Sequence, residues 1–137
     1  MQNLPLIVFS HLRWDFVYQR PQHLLSRLAR GRRVLFIEEP LHTEGPPRWE
    51  KTAAEPGVLV CRPHTHARSH GFTAEQIEAI KPMVSSLLKE EHIDAYVVWC
   101  YTAMACPLAA ALHPAAVVFD VMDALSAFKG APPEILA

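Results

Sequence analysis

The 137-residue chain is half hydrophobic and one-fifth charged, with a formal net charge of −1. That balance excludes a disordered chain and gives no electrostatic basis for gripping nucleic acid or anionic lipid. The length suits one domain with a real core, and no apolar run approaches the ~18 residues that a spanning helix needs.

Leu6 to Ser10 is the first predicted strand, an unbroken apolar run ending on a hydroxyl. His11 to Gln22 joins it to a helix, and this segment is unusual for a strand–helix connection. It holds no glycine, but carries Trp14, Phe16 and Tyr18 among Arg13, Asp15, Gln19, Arg20 and Gln22. Turn segments favour small residues, whereas bulky aromatics mixed with hydrogen-bonding groups shape binding sites. Pro21 suits the first helical position. Leu24, Leu25 and Leu28 then form a stripe, and Gly31 marks the stop. Arg33 to Glu38 is a second buried strand. Glu39 to Gly57 reads as irregular because Pro40, Gly45, Pro46, Pro47 and Pro56 interrupt it. Val58 to Cys61 is a short third strand, expected to end before Pro63.

His64 to His70 is a polar connector. Thr73 and Gln76 have capping-box spacing, Phe72 can staple to Ile77, and Ile77, Ile80, Val84, Leu87 and Leu88 line one helical face. Pro82 predicts a kink or break inside that helix. Ala95 to Trp99 is the fourth strand. An alanine-rich helix follows between Thr102 and Leu112, and Ala116 to Asp120 is the fifth strand. Asp123 would cap a short helix through Phe128, and Pro133 to Leu136 resembles the first turn of another. Strands that are continuously apolar and alternate with helices predict an α/β, Rossmann-like doubly wound parallel sheet of about five strands, in the order 3-2-1-4-5.

In that order, ligands bind beyond the carboxyl ends of the strands, where strand order reverses between strands one and four. The His11–Gln22 loop and the stretch Trp99-Cys100-Tyr101-Thr102 would line this crevice, with Asp120 and Asp123 beside them. A dinucleotide is disfavoured despite Glu38, which stands where a ribose-binding acid would fall. The first loop lacks Gly-x-Gly-x-x-Gly, and its bulk would hold a pyrophosphate off the backbone. Arg20, just before a helix N-terminus, suits a phosphate or carboxylate. His64, His66 and His70 have no ligand spacing fixed by a helix or strand, so they read as a solvated loop and no metal site is expected. Cys61, Cys100 and Cys106 read as buried, reduced thiols.

The stretch from Phe9 to Leu24, with Trp-Asp-Phe-Val-Tyr-Gln-Arg-Pro-Gln at positions 14–22, resembles bacterial GT-B glycosyltransferases related to family 4. Glu38-Glu39-Pro40, Trp99 to Met104 and Phe119 to Phe128 carry the same resemblance. It covers nearly the whole chain, as the amino-terminal, acceptor-side half of such an enzyme. The resemblance implies metal-free transfer of a sugar from a nucleotide-sugar donor to an acceptor hydroxyl on a cell-surface or exopolysaccharide glycoconjugate. No cofactor is expected.

In the family the donor nucleotide is held mainly by a carboxyl-terminal domain, through a basic pair and a Glu-x7-Glu motif that this sequence lacks. The implied acceptor-site residues are His11, Trp14, Tyr18, Gln19, Arg20, Gln22, Tyr101 and Thr102, with Asp120 or Asp123 near the attacking hydroxyl. The expectation is therefore a domain of a longer cytoplasmic protein, peripheral to the inner membrane, inactive alone and able to self-associate through its open cleft face. The alternatives are a stand-alone flavodoxin-like binding domain without chemistry, or a domain associated with UDP-galactopyranose mutase-type proteins.

Overall fold

The computed structural model describes residues 4–11, 13, 14 and 25–120. Its strands are β1 (Leu6–Phe9), β2 (Val34–Ile37), β3 (Leu41–His42), β4 (Arg48–Glu55), β5 (Val58–Thr65), β6 (Val97–Cys100) and β7 (Ala116–Phe119). Residues 25–28 are helical (α1), and α2 (Ala74–Glu90) and α3 (Cys106–Leu112) follow, the latter after a 3-10 turn, Ala103–Ala105.

The parallel core runs β5-β2-β1-β6-β7, which is the order expected from sequence. Strands β1 and β2 are buried at all four positions because both faces of the sheet are covered. Ile7, Phe9, Leu35, Ile37, Val98 and Cys100 point to the face packed by α2 and α3. Leu6, Val8, Val34, Phe36 and Val97 point to the other face, where Leu25 of α1 and Trp14 pack. Each such aliphatic or aromatic side chain contributes about 1.5–3 kcal/mol by leaving water.

Among the described residues the sheet has seven strands, and the two extra ones fall in the stretch expected to be irregular. Strand β4 pairs antiparallel with β5 from Arg48↔His64 to Glu55↔Val58, with a register shift near Ala53. Its sequence, Arg-Trp-Glu-Lys-Thr-Ala-Ala-Glu, has little strand propensity of its own; the pairing and the seating of Trp49 decide it. Trp49 Nε1 donates to the Met83 carbonyl of α2 at 2.9 Å, and Lys51 Nζ donates to Glu90 at 2.9 Å. The charges along β4 also protect an edge strand from further pairing.

Strand β5 passes through Pro63 instead of stopping before it. The carbonyls of Cys61 and Thr65 accept from Glu38 and Thr43, so Pro63, at the same parity, faces the same side. There it meets the gap between the end of β2 and the start of β3, where no ladder donor is required.

Helix α2 likewise runs through Pro82 as one element. Pro82 is exposed, as is Glu78, whose carbonyl loses its partner to the ring and faces water. The capping box forms by half. Thr73 accepts from the Gln76 amide at 3.3 Å, but the Gln76 side chain is buried under the connector. It accepts from Thr65 Oγ1 at 2.6 Å and donates to the carbonyls of Ala67 and Ser69. α1 closes with Arg30 and Gly31 amides bonded three residues back, and Gly31 is not in the left-handed region. The expected start of that helix at Pro21 and the elements expected after Asp120 lie outside the described residues. No described helix is long and apolar enough to cross a membrane.

Candidate functional site at the carboxyl edge of the sheet

Four strands end in register, and the residues that follow them form a row. The amides of Ser10, Glu38, Tyr101 and Asp120 donate to the carbonyls of Ile37, Cys61, Phe9 and Cys100 on neighbouring strands, at 2.9–3.0 Å. The row therefore reads Glu38, Ser10, Tyr101, Asp120 across β2, β1, β6 and β7, about 4.8 Å per step. A buried carboxylate, two hydroxyl-bearing residues and a second carboxylate thus sit on the edge where parallel sheets take ligands.

Glu38 is the anchor of this edge; in sequence it was weighed as an acid for a dinucleotide ribose and named within the Glu38-Glu39-Pro40 string. Its side chain is 0% exposed. Oε1 accepts from Arg13 Nη1 at 3.1 Å and from Arg62 Nε at 2.8 Å. Oε2 accepts from the Trp14 amide at 2.7 Å. A carboxylate can be buried only when charge and hydrogen bonds replace its water, and here two guanidiniums and a backbone amide do so. The arrangement occupies Glu38, so it is not open to a ribose. Arg62 continues to Glu50 at 3.7 Å, and His64 Nε2 meets the other oxygen of Glu50 at 2.8 Å. The hydrogen bond with His64 holds the Glu50 carboxyl below its usual range, and Arg62 adds to it.

This anchor sets the direction of the loop that leaves β1. Residues 11, 13 and 14 turn over the end of β2, on the side of β1 away from β6. Trp14 is buried against Phe36, with ring centres 5.0 Å apart and a 74° interplanar angle. Its ring is part of the core, and its amide part of the anchor. Tyr101 is also buried, its ring centre 6.3 Å from that of Trp99, whose buried indole N–H has no hydrogen-bond partner among the described residues. Thr102 caps the 3-10 turn by accepting from the Met104 amide at 3.2 Å. His11 and Asp120 are half-buried at the ends of β1 and β7. The structure thus brings His11, Trp14, Tyr101, Thr102 and Asp120 to one edge. Tyr18, Gln19, Arg20, Gln22 and Asp123 lie outside the described residues.

Glu39, named in sequence only within the Glu38-Glu39-Pro40 string, is half-buried next to Glu38. Burial raises its carboxyl above the usual carboxylate range, against the opposing pull of His11, Arg13 and His70. Arg62 was missed because the third strand was expected to stop before it.

The histidines of the connector do not converge. His64 is engaged by Glu50, and His66 Nε2 by the Gly45 carbonyl at 2.6 Å. Among the described residues no group of three His, Cys, Asp or Glu side chains is arranged to hold a metal. Cys61 and Cys100 are buried, and burial pushes their thiols up to about 12.

The class defined by fold and edge is a Rossmann-like α/β domain with a polar carboxyl edge and no glycine-rich phosphate loop in its sequence. In comparisons with known proteins, no family model, curated protein or solved structure matches the chain.

Proposed function

We propose that this domain binds the hydroxyl-bearing acceptor in a glycosyl transfer whose sugar comes from a nucleotide-sugar donor. The observation that carries the reading is the built carboxyl edge. Glu38, Ser10, Tyr101 and Asp120 run across four adjacent strands, with Arg13 and the Trp14 amide tied beside them to Glu38. Sugars are recognised by directed hydrogen bonding beside apolar surface, and the polar residues at this edge that are not fully buried, His11, Thr102 and Asp120, share it with the half-buried Trp99 and the exposed Met104. The string from Phe9 to Leu24 supports the same reading through its resemblance to GT-B glycosyltransferases. The acceptor class is a cell-surface or exopolysaccharide glycoconjugate, reached at the inner membrane's cytoplasmic face.

Amide-resolved NMR titration with methyl glycosides and with UDP-glucose tests this. Glycosides are expected to shift the amides of Ser10, His11, Trp14, Tyr101 and Asp120, while UDP-glucose acts weakly because the donor nucleotide belongs mainly to a carboxyl-terminal domain. Shifts confined to the amino-terminal ends of the strands, or none with any glycoside, would refute the reading.

A further inference from the structure

Strand β3 is two residues long, and it carries the line of β2 past the carboxyl edge. Ile37 of β2 pairs with Cys61, and Leu41 and His42 of β3 pair with His64 and Thr65 further along β5. The Thr43 amide closes the pairing by donating to the Thr65 carbonyl at 2.7 Å. Both residues of β3 are exposed. A segment with few buried contacts opens locally at low cost, so side-chain ties decide how long it stays closed.

The ties come from the connector after β5. His66 Nε2 meets the Gly45 carbonyl at 2.6 Å, and Arg68 Nη2 donates to Glu44 Oε2 at 2.9 Å. His42 differs from His66 in having an acceptor at each ring nitrogen. Its Nδ1 lies 3.3 Å from the Ala67 carbonyl oxygen, and its Nε2 meets Glu44 Oε2. A carbonyl and an ionised carboxylate only accept, whereas a neutral imidazole carries one N–H and one lone pair. Both contacts are therefore hydrogen bonds only in the imidazolium. The neutral ring sets a lone pair against an oxygen at one of them. His66, with its single acceptor, is satisfied by the one N–H of a neutral ring.

The charged groups facing His42 are Glu44 on its own loop and His66 and Arg68 on the connector; together with Thr43 they line an open cleft, so solvent reaches the ring. His64, on β5, is turned to Glu50. The hydrogen bond and charge of His42, and then the hydrogen bond from Arg68, hold the Glu44 carboxyl below its usual range. Glu44 thus remains an acceptor while the histidines titrate.

We propose that His42 is a pH-sensitive clip at the carboxyl edge: its imidazolium ties β3 to the connector, and loss of one ring proton loosens the segment from Leu41 to Gly45. The neutral ring keeps one of its two bonds, so the segment loosens without unfolding.

The test is hydrogen exchange at the Thr43 amide between about pH 5 and 8, the span in which histidines titrate. Protection is taken relative to the unstructured chain, so that the intrinsic pH dependence of exchange cancels. It is expected to fall about two- to fivefold across that span, the size of an exposed charged pair, because the His42 side chain is 29% exposed. The fall should coincide with the titration of the His42 ring, followed by its nitrogen shifts. His42→Gln keeps a donor without a titrating group, and its Thr43 protection should be flat. Glu44→Gln changes an exposed side chain and can turn its amide to suit either ring state, so it should flatten the profile too. His66→Gln should leave the fall in place. A flat wild-type profile overturns the proposal, as does a fall that persists in His42→Gln or Glu44→Gln, or one that disappears in His66→Gln.

Discussion

Replacing Glu38 with Gln should destabilise the domain far more than its surface-like sequence context suggests. The substitution keeps shape and one acceptor oxygen but removes the charge that two guanidiniums share. Breaking a buried ion pair typically costs about 3–5 kcal/mol, because the remaining charge is left without compensation. Here the side chains of Arg13 and Arg62 are 33% and 24% exposed, so water can recover part of their solvation. That places the expected cost at the lower end, about 3 kcal/mol. For a domain of this size each kcal/mol moves the melting temperature by roughly 3 °C, so a drop of about 10 °C is expected. Calorimetry or a urea melt at neutral pH measures it. Hydrogen exchange gives the local signature: the Trp14 amide, which donates to Glu38 Oε2 at 2.7 Å, should exchange faster. In the cycle with Arg62→Met, the double variant should lose less than the sum of the singles. A Glu38→Gln melt within about 2 °C of wild type would mean that the buried cluster contributes under about 1 kcal/mol, and the anchoring argument would fail.

Other expectations follow from single positions. Gly57 has φ +85°, and a Cβ there would lie 2.6 Å from the Ala29 carbonyl oxygen, so Gly57→Ala should lower stability by at least about 1–2 kcal/mol in a urea melt. His92 holds the left-handed position after α2 at φ 58°, where glycine is the favoured residue, so His92→Gly should raise stability by about 0.5–1 kcal/mol by the same assay. In the folded chain, a thiol reagent at mildly alkaline pH should react first with the half-buried Cys106. Cys61 and Cys100, held at about 12 by burial, should react only after unfolding. Glu91 and Glu39 should shape the pH dependence of stability in opposite senses. The hydrogen bond from Arg33, then that from Lys51, holds the Glu91 carboxyl low, so its contribution is present above the unfolded carboxyl pKa and fades as pH falls through the folded one. Solvent exposure limits it to about 1 kcal/mol or less, seen as a gap between wild type and Arg33→Met that closes in acid. Burial raises the Glu39 carboxyl, so its ionisation costs stability as pH rises from the unfolded pKa through the folded one; Glu39→Gln should therefore melt higher at neutral pH and converge with wild type in acid.

The parallel core was legible in sequence because its strands carry their own signature. Leu6–Phe9, Val34–Ile37 and Val97–Cys100 are apolar at every position, and only a strand covered on both faces needs that. The α2 face was legible from its 3.6-residue spacing, and Ile77, Ile80, Val84, Leu87 and Leu88 are all buried. Strand β4 was not legible, because its pairing comes from β5 and its anchoring from the Met83 carbonyl, 34 residues away. Local breakers misled in both directions. Pro63 fits where the ladder needs no donor, and Pro82 fits where the freed carbonyl meets water. In each case the tertiary surroundings decided what the proline cost.

At the site, sequence chemistry pointed to the right edge but assigned its aromatics and its acids differently from the structure. Trp14 was expected at the acceptor site, yet it is 7% exposed and its ring packs on Phe36. Arg13, expected only as hydrogen-bonding bulk, ties the loop to β2. The acids were weighed one at a time, with Glu38 measured against a ribose and Asp120 against an attacking hydroxyl. Their roles follow instead from which donors reach them. Arg13, Arg62 and the Trp14 amide converge on Glu38 and saturate it. The same Arg13 donates to the backbone of Glu39, whose side chain is half-buried and has no hydrogen bond among the described residues. Two adjacent identical residues are thereby left in different surroundings, one saturated with donors and one half-exposed. That distinction depends on geometry 25 residues apart in the chain, which no local pattern encodes.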